Sequence, residues 1–202
     1  MTGPVLLGLD FDNTVINYDQ VFFDSACKRD LVPPSLDPTK TAVRDHLRIM
    51  GREDEWTMLQ GEVYGPGIGA AIPFPGVLDA IMRVVDSGVR VCIVSHKTRT
   101  PYSGERHDLR LAALGWLEAH GFFEVGRLAG GPADVHFGST MMEKVNRIVD
   151  LGCSHYVDDL AEVLYRLPAD LTRILFAPLG DDGADGPWST LRAWDELDTL
   201  LT

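Results

Sequence analysis

The sequence predicts an α/β protein: a parallel sheet covered by helices on both faces, with a small α-helical cap inserted after the first strand. Three observations predict it. Short apolar runs rich in β-branched residues recur at 5–11, 89–95, 154–157 and 173–177, with a weaker one at 134–137; continuous apolar runs of this length suit strands buried on both faces. Amphipathic helical patterns lie between them, the alternation expected of a parallel sheet. The stretch 17–72 breaks that alternation, with three helical patterns and no strand.

The elements follow in order. The run 5–11 carries Val5, Leu6, Leu7 and Leu9 and ends in acids. Helical patterns then cover 20–30, 39–50 and 53–63; Pro33, Pro34 and Pro38 separate the first two and Gly51 ends the second, as prolines and glycines punctuate helices. Pro73, Phe74, Pro75 and Gly76 stiffen the return of the chain. The expected organisation is therefore a core of residues 1–16 and 73–202 and a helical cap of residues 17–72. Helix 77–86 places Val77, Ile81, Val84 and Val85 on one face, and helices at 109–120, 141–151 and 160–166 follow. The acidic, turn-rich segment 180–187 reads as a connector from the last strand to a final helix. Glycine-rich 65–69 lacks the Lys-Ser/Thr ending and the preceding strand of a phosphate loop, and reads as a linker.

Composition bounds the function. The 202 residues are 45% hydrophobic and 24% charged, enough for one domain with a small insertion. Eighteen basic against thirty acidic residues give a net charge of −12, a field that repels nucleic-acid backbones and anionic membranes. Neither is expected as a partner. Cys27, Cys92 and Cys153 are odd in number and widely spaced, which argues for reduced thiols rather than a disulfide framework or a zinc site. The opening apolar run is interrupted by Asp10 and Asp12 and has no basic flank, so it reads as neither signal peptide nor membrane span, and a cytoplasmic location is expected.

In open α/β sheets ligands gather at the carboxyl ends of the strands, and here those ends are polar. The first strand runs out into Asp10-Phe11-Asp12-Asn13-Thr14, the second into Ser95-His96-Lys97-Thr98 and the fourth into Asp158-Asp159, with Lys144 near the start of the helix before that fourth strand. Acids at i and i+2 of an extended segment share one face, which groups Asp10 with Asp12. Adding Asp158 and Asp159 gathers four carboxylates, a cluster that needs a cation. An all-oxygen site with room for water and phosphate suits Mg²⁺. A carboxylate nucleophile beside a cation, a lysine and a hydroxyl suits phosphoryl transfer.

Asp-x-Asp-x-Thr after an apolar strand, Ser after a second, a Lys, then Asp-Asp after a later strand resemble the four motifs of the haloacid dehalogenase-like hydrolases, in order from Asp10 to Asp159. The resemblance implies a Rossmann-like core, a cap at the position of the helical insertion, and an aspartyl-phosphate formed on Asp10. It implies that Asp12 protonates the leaving alcohol and then activates water, its backbone carbonyl also binding the metal. Ser95 and Lys144 would hold the phosphoryl group, Asp158 and Asp159 would ligate Mg²⁺, and Thr14 would support the first loop. Members of the family that cleave carbon–halogen or carbon–phosphorus bonds, and its ion pumps, lack an acid at the position of Asp12, whereas phosphatases and phosphomutases have one. A proton donor for an alkoxide is needed there. The implied activity is hydrolysis of a small phosphorylated substrate, with a sugar phosphomutase or a non-catalytic phosphoacceptor module as alternatives. Lys97 is the alternative to Lys144 as the phosphate-holding lysine.

Downstream of Ser95, His96, Lys97, Arg99 and Arg106 are candidate substrate contacts, since a long polar loop at a site is often functional. In the cap, Arg44, Arg48, Arg52, Trp56 and Tyr64 are candidates for substrate selection; ordinary helix-surface solvation competes with that role at each position.

Overall fold

In the computed structural model, residues 5–124, 126–128, 130–180 and 185–201 are described. The chain divides into two compact units, one of Met1–Val15, Pro73–Lys97 and Leu117–Thr202, the other of Ile16–Ile72 and Thr98–Trp116. The first unit thus forms from three separated stretches, and 98–116 joins the helical insertion rather than the sheet.

The first unit holds strands β1 (Leu6–Leu9), β4 (Arg90–His96), β5 (Val135–Gly138), β6 (His155–Asp158), β7 (Thr172–Phe176) and β8 (Ser189–Leu191). Short strands β2 (Ile16–Asn17) and β3 (Ile72–Pro73) pair with each other where the chain leaves and returns. The main sheet runs β5-β4-β1-β6-β7-β8, every neighbour parallel. From β1 the chain steps outward through β4 to β5, then crosses back to β6 and proceeds the other way. The direction of winding therefore reverses beside β1, the place where such sheets leave a crevice at their carboxyl ends. All four expected strands and the weaker fifth are present. The expected final helix is not: β8 follows the connector, and Trp194–Leu200 forms a 3₁₀ helix instead. Three strand residues are too few to give a readable alternation. Residues 181–184 of that connector lie outside the described residues.

Helix α4 (Val77–Asp86) has the bounds expected from its period and buries Val77, Ala80, Ile81 and Val84. It starts at Gly76, whose φ of +80° is a left-handed conformation in which a side chain is strained. Helix α5 (Leu109–Ala119) passes from the second unit to the first. Helix α6 (Met141–Asp150) starts at Thr140, whose hydroxyl accepts from Glu143 N, while Glu143 Oε2 reaches back to Ser139 N at 2.7 Å. Two otherwise orphaned amides are satisfied. Its buried face is Lys144, Val145 and Ile148, so a lysine occupies a position that the helical period reserves for apolar residues. Helix α7 (Ala161–Arg166) contributes Val163 and Leu164 to the same core, together with Cys92, Val94, Leu167 and Leu175.

The second unit is built from α1 (Asp19–Lys28), α2 (Lys40–Ile49), α3 (Glu53–Tyr64) and the 3₁₀ turn Pro66–Ala70. Tyr18, Phe22, Trp56 and Tyr64 form its aromatic centre, with ring centroids 5.0 to 6.2 Å apart, spacings at which edge-to-face pairs are favourable. Trp116 Nε1 donates to Ala71 O at 2.9 Å. Arg44, Arg48 and Arg52 form ion pairs with Asp45, Glu53 and Glu55 along the helices, contacts of little net stability. Trp56 is core, and 65–69 turns tightly around buried Ile68. No described helix is long and apolar enough to cross a membrane.

Gly8 interrupts the first apolar run for a steric reason. It sits opposite Cys92 on one side and Tyr156 on the other, and a Cβ there would lie 2.6 Å from Tyr156 Cδ2 and 3.1 Å from Cys153 Sγ. Gly8→Ala should therefore destabilise the protein by about 1–3 kcal/mol, as overpacked cores do, opposite in sign to the usual gain of about 0.4–1 kcal/mol. Urea unfolding measures which sign holds.

Candidate active site

Polar side chains gather at the carboxyl ends of β1 and β6: Asp10, Asp158 and Asp159, with Lys144 against the first two. Asp10 N donates to Val157 O at 2.9 Å, so the β1–β6 ladder fixes the backbone of the first acid. The chain then folds into a single turn, with Val15 N on Phe11 O at 3.1 Å and Asn13 at φ +59°, a left-handed conformation that asparagine tolerates. The turn brings Asn13 Nδ2 to Asp159 Oδ2 at 3.3 Å. Thr14 is fully buried beneath it, with no hydrogen-bond partner for its hydroxyl.

Lys144 anchors the acids. Its Nζ donates to Asp10 Oδ1 at 2.7 Å and lies 2.7 Å from Asp158 Oδ2, with side-chain exposures of 2%, 5% and 0% for the three groups. The contact with Asp158 is a buried ion pair. Asp158 Oδ1 accepts from Leu160 N at 3.0 Å. The ammonium also stands 5.7 Å from the centre of the Tyr156 ring, within cation–π range. Gly138 makes this approach possible: a Cβ there would meet Lys144 N at 2.8 Å.

One ammonium cannot compensate two buried acids fully. Burial raises the Asp158 carboxyl to about 8 against the lowering pull of Lys144, with the charges of Asp10 and Asp159 adding to the rise. Burial alone would depress Lys144, but Asp10 and Asp158 overturn that and raise it. Burial, then the nearby acids, push the Tyr156 phenol well up; its hydroxyl donates to Val94 O.

Asp10, Asp158 and Asp159 each offer an oxygen within 4.8 Å of the others. Three carboxylates of which two share one ammonium form an all-oxygen group short of positive charge, chemistry that a hard divalent cation fits. Ser95 is buried near the carboxyl end of β4, the strand that pairs with β1.

The second acid has its own cation. Lys97 Nζ donates to both oxygens of Asp12, at 3.0 and 2.9 Å. The sequence places Lys97 after the serine but carries no signal that it pairs with Asp12. Nor does it mark Tyr156, Asn13 or Gly138, whose roles depend on contacts across strands. His96 is exposed and its Nε2 lies 3.0 Å from Ser139 O. Arg99 pairs with Asp108 at 2.9 Å and Arg106 is exposed, both in the second unit. Cys92 and Cys153 are buried with sulfurs 3.9 Å apart, and Cys27 is half-buried; all three are free thiols.

No protein family and no curated protein matches the chain by sequence. Solved structures match it in fold. A protein tyrosine kinase A from Mycobacterium tuberculosis superposes with a TM-score of 0.66 at 16% identity, covering 98% of this chain and 99% of the other. A predicted phosphoglycolate phosphatase from Haemophilus somnus matches with a TM-score of 0.57 at 11% identity over the full length of both chains. A haloacid dehalogenase-superfamily hydrolase from Ehrlichia chaffeensis matches at 0.56 and 10%, covering 100% of this chain and 97% of that one. The chain has the haloacid dehalogenase-like hydrolase fold.

The raised Asp158 carboxyl gives a stability signature. Its folded value of about 8 lies above the ordinary 3.8, so between these limits the folded state holds a proton that the unfolded chain has released. The stabilisation is complete below about pH 4 and is lost as pH rises toward about 8. In chelator, raising the pH from about 5 to about 8 should cost the wild type roughly 2–4 kcal/mol more than Asp158→Asn. Urea unfolding of both at each pH measures the difference; parallel responses would place the titration elsewhere.

Proposed function

We propose that this chain is a Mg²⁺-dependent phosphatase that hydrolyses a small phosphomonoester through an aspartyl-phosphate on Asp10. The observation that carries the reading is the pair of first-loop acids, Asp10 and Asp12, each held by its own lysine, with Asp158 and Asp159 alongside Asp10. A nucleophile and a proton donor two residues apart on one turn meet both needs of phosphoester cleavage.

Asp10, Asp158 and Asp159 would hold the cation, together with the Asp12 backbone carbonyl that the family resemblance implies. Bound there, a divalent cation supplies charge neutralisation for the attacking carboxylate and the phosphoryl oxygens. Lys144 fixes the Asp10 carboxylate through Oδ1, and with three donors it retains capacity for a phosphoryl oxygen. The Ser95 hydroxyl donates to another. Asp10 attacks phosphorus as the ester P–O bond breaks, and Asp12 protonates the departing alkoxide. Asp12 then takes a proton from water, which attacks the phosphorus of the aspartyl-phosphate, freeing phosphate and restoring Asp10. A halide leaves without a proton, so the presence of Asp12 favours a phosphoester over a carbon–halogen substrate; the structural matches include both a predicted phosphoglycolate phosphatase and dehalogenases.

Phosphate release from sugar phosphates, nucleotides and aryl phosphates tests the proposal. Activity should require Mg²⁺ and vanish in EDTA, fall at least ~10³-fold in Asp10→Asn, and fall about 10²- to 10⁴-fold in Asp12→Asn on esters with poor leaving groups. A silent panel, or unchanged turnover in Asp10→Asn, would falsify it.

A further inference from the structure

Buried lysines are costly unless paired, and Lys97 is paired with Asp12. Its side chain is 2% exposed, whereas its partner Asp12 is 18% exposed. The lysine is therefore the inner member of the pair and the carboxylate the outer one.

The ammonium is also fixed from several sides. Lys97 N donates to Gly138 O at 2.8 Å, extending the β4–β5 ladder by one residue. The Lys97 Nζ stands 5.5 Å from the centre of the Phe11 ring, the residue between the two acids. It donates to both Asp12 oxygens, at 3.0 and 2.9 Å, a two-point contact that sets the carboxylate's plane as well as its position. The other lysine is committed to Asp10 and Asp158, so it does not duplicate this function.

We propose that Lys97 is a positioning residue for Asp12, orienting the outer carboxylate for proton transfer to the leaving group and from water rather than binding substrate phosphate. The proposal rests on the reading of Asp12 as the acid/base. Its kinetic consequence is specific. Loss of Lys97 disturbs the steps that use Asp12 and spares substrate binding, and the defect scales with how badly the leaving group needs a proton.

The test is steady-state kinetics with Mg²⁺ on p-nitrophenyl phosphate and phenyl phosphate for the wild type, Lys97→Met, Lys97→Arg, Asp12→Asn and the Lys97→Met/Asp12→Asn double variant. Lys97→Met should lower kcat by about 10- to 100-fold on phenyl phosphate, less on p-nitrophenyl phosphate, with KM changed less than about threefold. The double variant should be no slower than Asp12→Asn alone, and Lys97→Arg should recover part of the loss. Three results overturn the proposal: a raised KM with kcat intact, a double-variant defect equal to the product of the single ones, or equal losses on both esters in kcat/KM, which reports the leaving-group step and not the shared hydrolysis of the aspartyl-phosphate. A wild type that is inactive, or unaffected by Asp10→Asn and Asp12→Asn, instead removes the phosphatase reading and this inference with it. If Lys97→Met unfolds early in a thermal melt, Lys97→Gln takes its place. A crystal structure of the folded variant gives a readout without turnover: a rotated Asp12 carboxylate supports the proposal and an unmoved one ends it.

Discussion

The constraint on which this molecule depends is the confinement of negative charge in a poorly hydrated crevice. Asp10 and Asp158 belong to neighbouring strands whose ladder holds their backbones within one register step, so their separation is a property of the sheet rather than of the side chains. Buried charges of like sign demand compensation, and the fold answers with an ammonium on the apolar face of α6. That lysine stabilises the metal-free cluster incompletely, which leaves an acidic site receptive to further positive charge.

Small residues make the arrangement sterically possible. Gly8 lets Tyr156 cross beneath β1, and the Tyr156 ring in turn forms the floor under the Lys144 ammonium. The phenol hydrogen bond to Val94 O ties that floor to β4. The path from an apolar strand to a charged site therefore runs through one aromatic residue whose room is created by a missing side chain at Gly8, two residues before Asp10.

Much of this was legible in the sequence, and the reasons are physical. Strands buried on both faces are written as apolar runs, and the acids at their ends interrupt those runs abruptly, so Asp10, Asp12, Ser95 and Asp158 stood out. The period of α4 set both its ends. What escaped depends on partners distant in sequence. Lys97 and Asp12 are 85 positions apart, and nothing local distinguishes a lysine that turns inward from one that faces water. Residues 98–116 read as a polar loop and a helix, while their packing with the helical insertion is set by contacts such as Trp116 with Ala71. Strand β8 is too short to carry a period, and the 3₁₀ helix after it has none of the α-helical spacing that was sought.

Gly138 links the two cationic arms. Its carbonyl receives the backbone N–H of Lys97, and the space where its Cβ would be admits the backbone of Lys144. Both lysine backbones therefore rest on one residue at the tip of β5, a strand that contributes no acid of its own. A side chain at that residue would press on the start of the helix that carries Lys144, so this edge of the sheet bears on the electrostatic balance of a centre to which it donates no functional side chain.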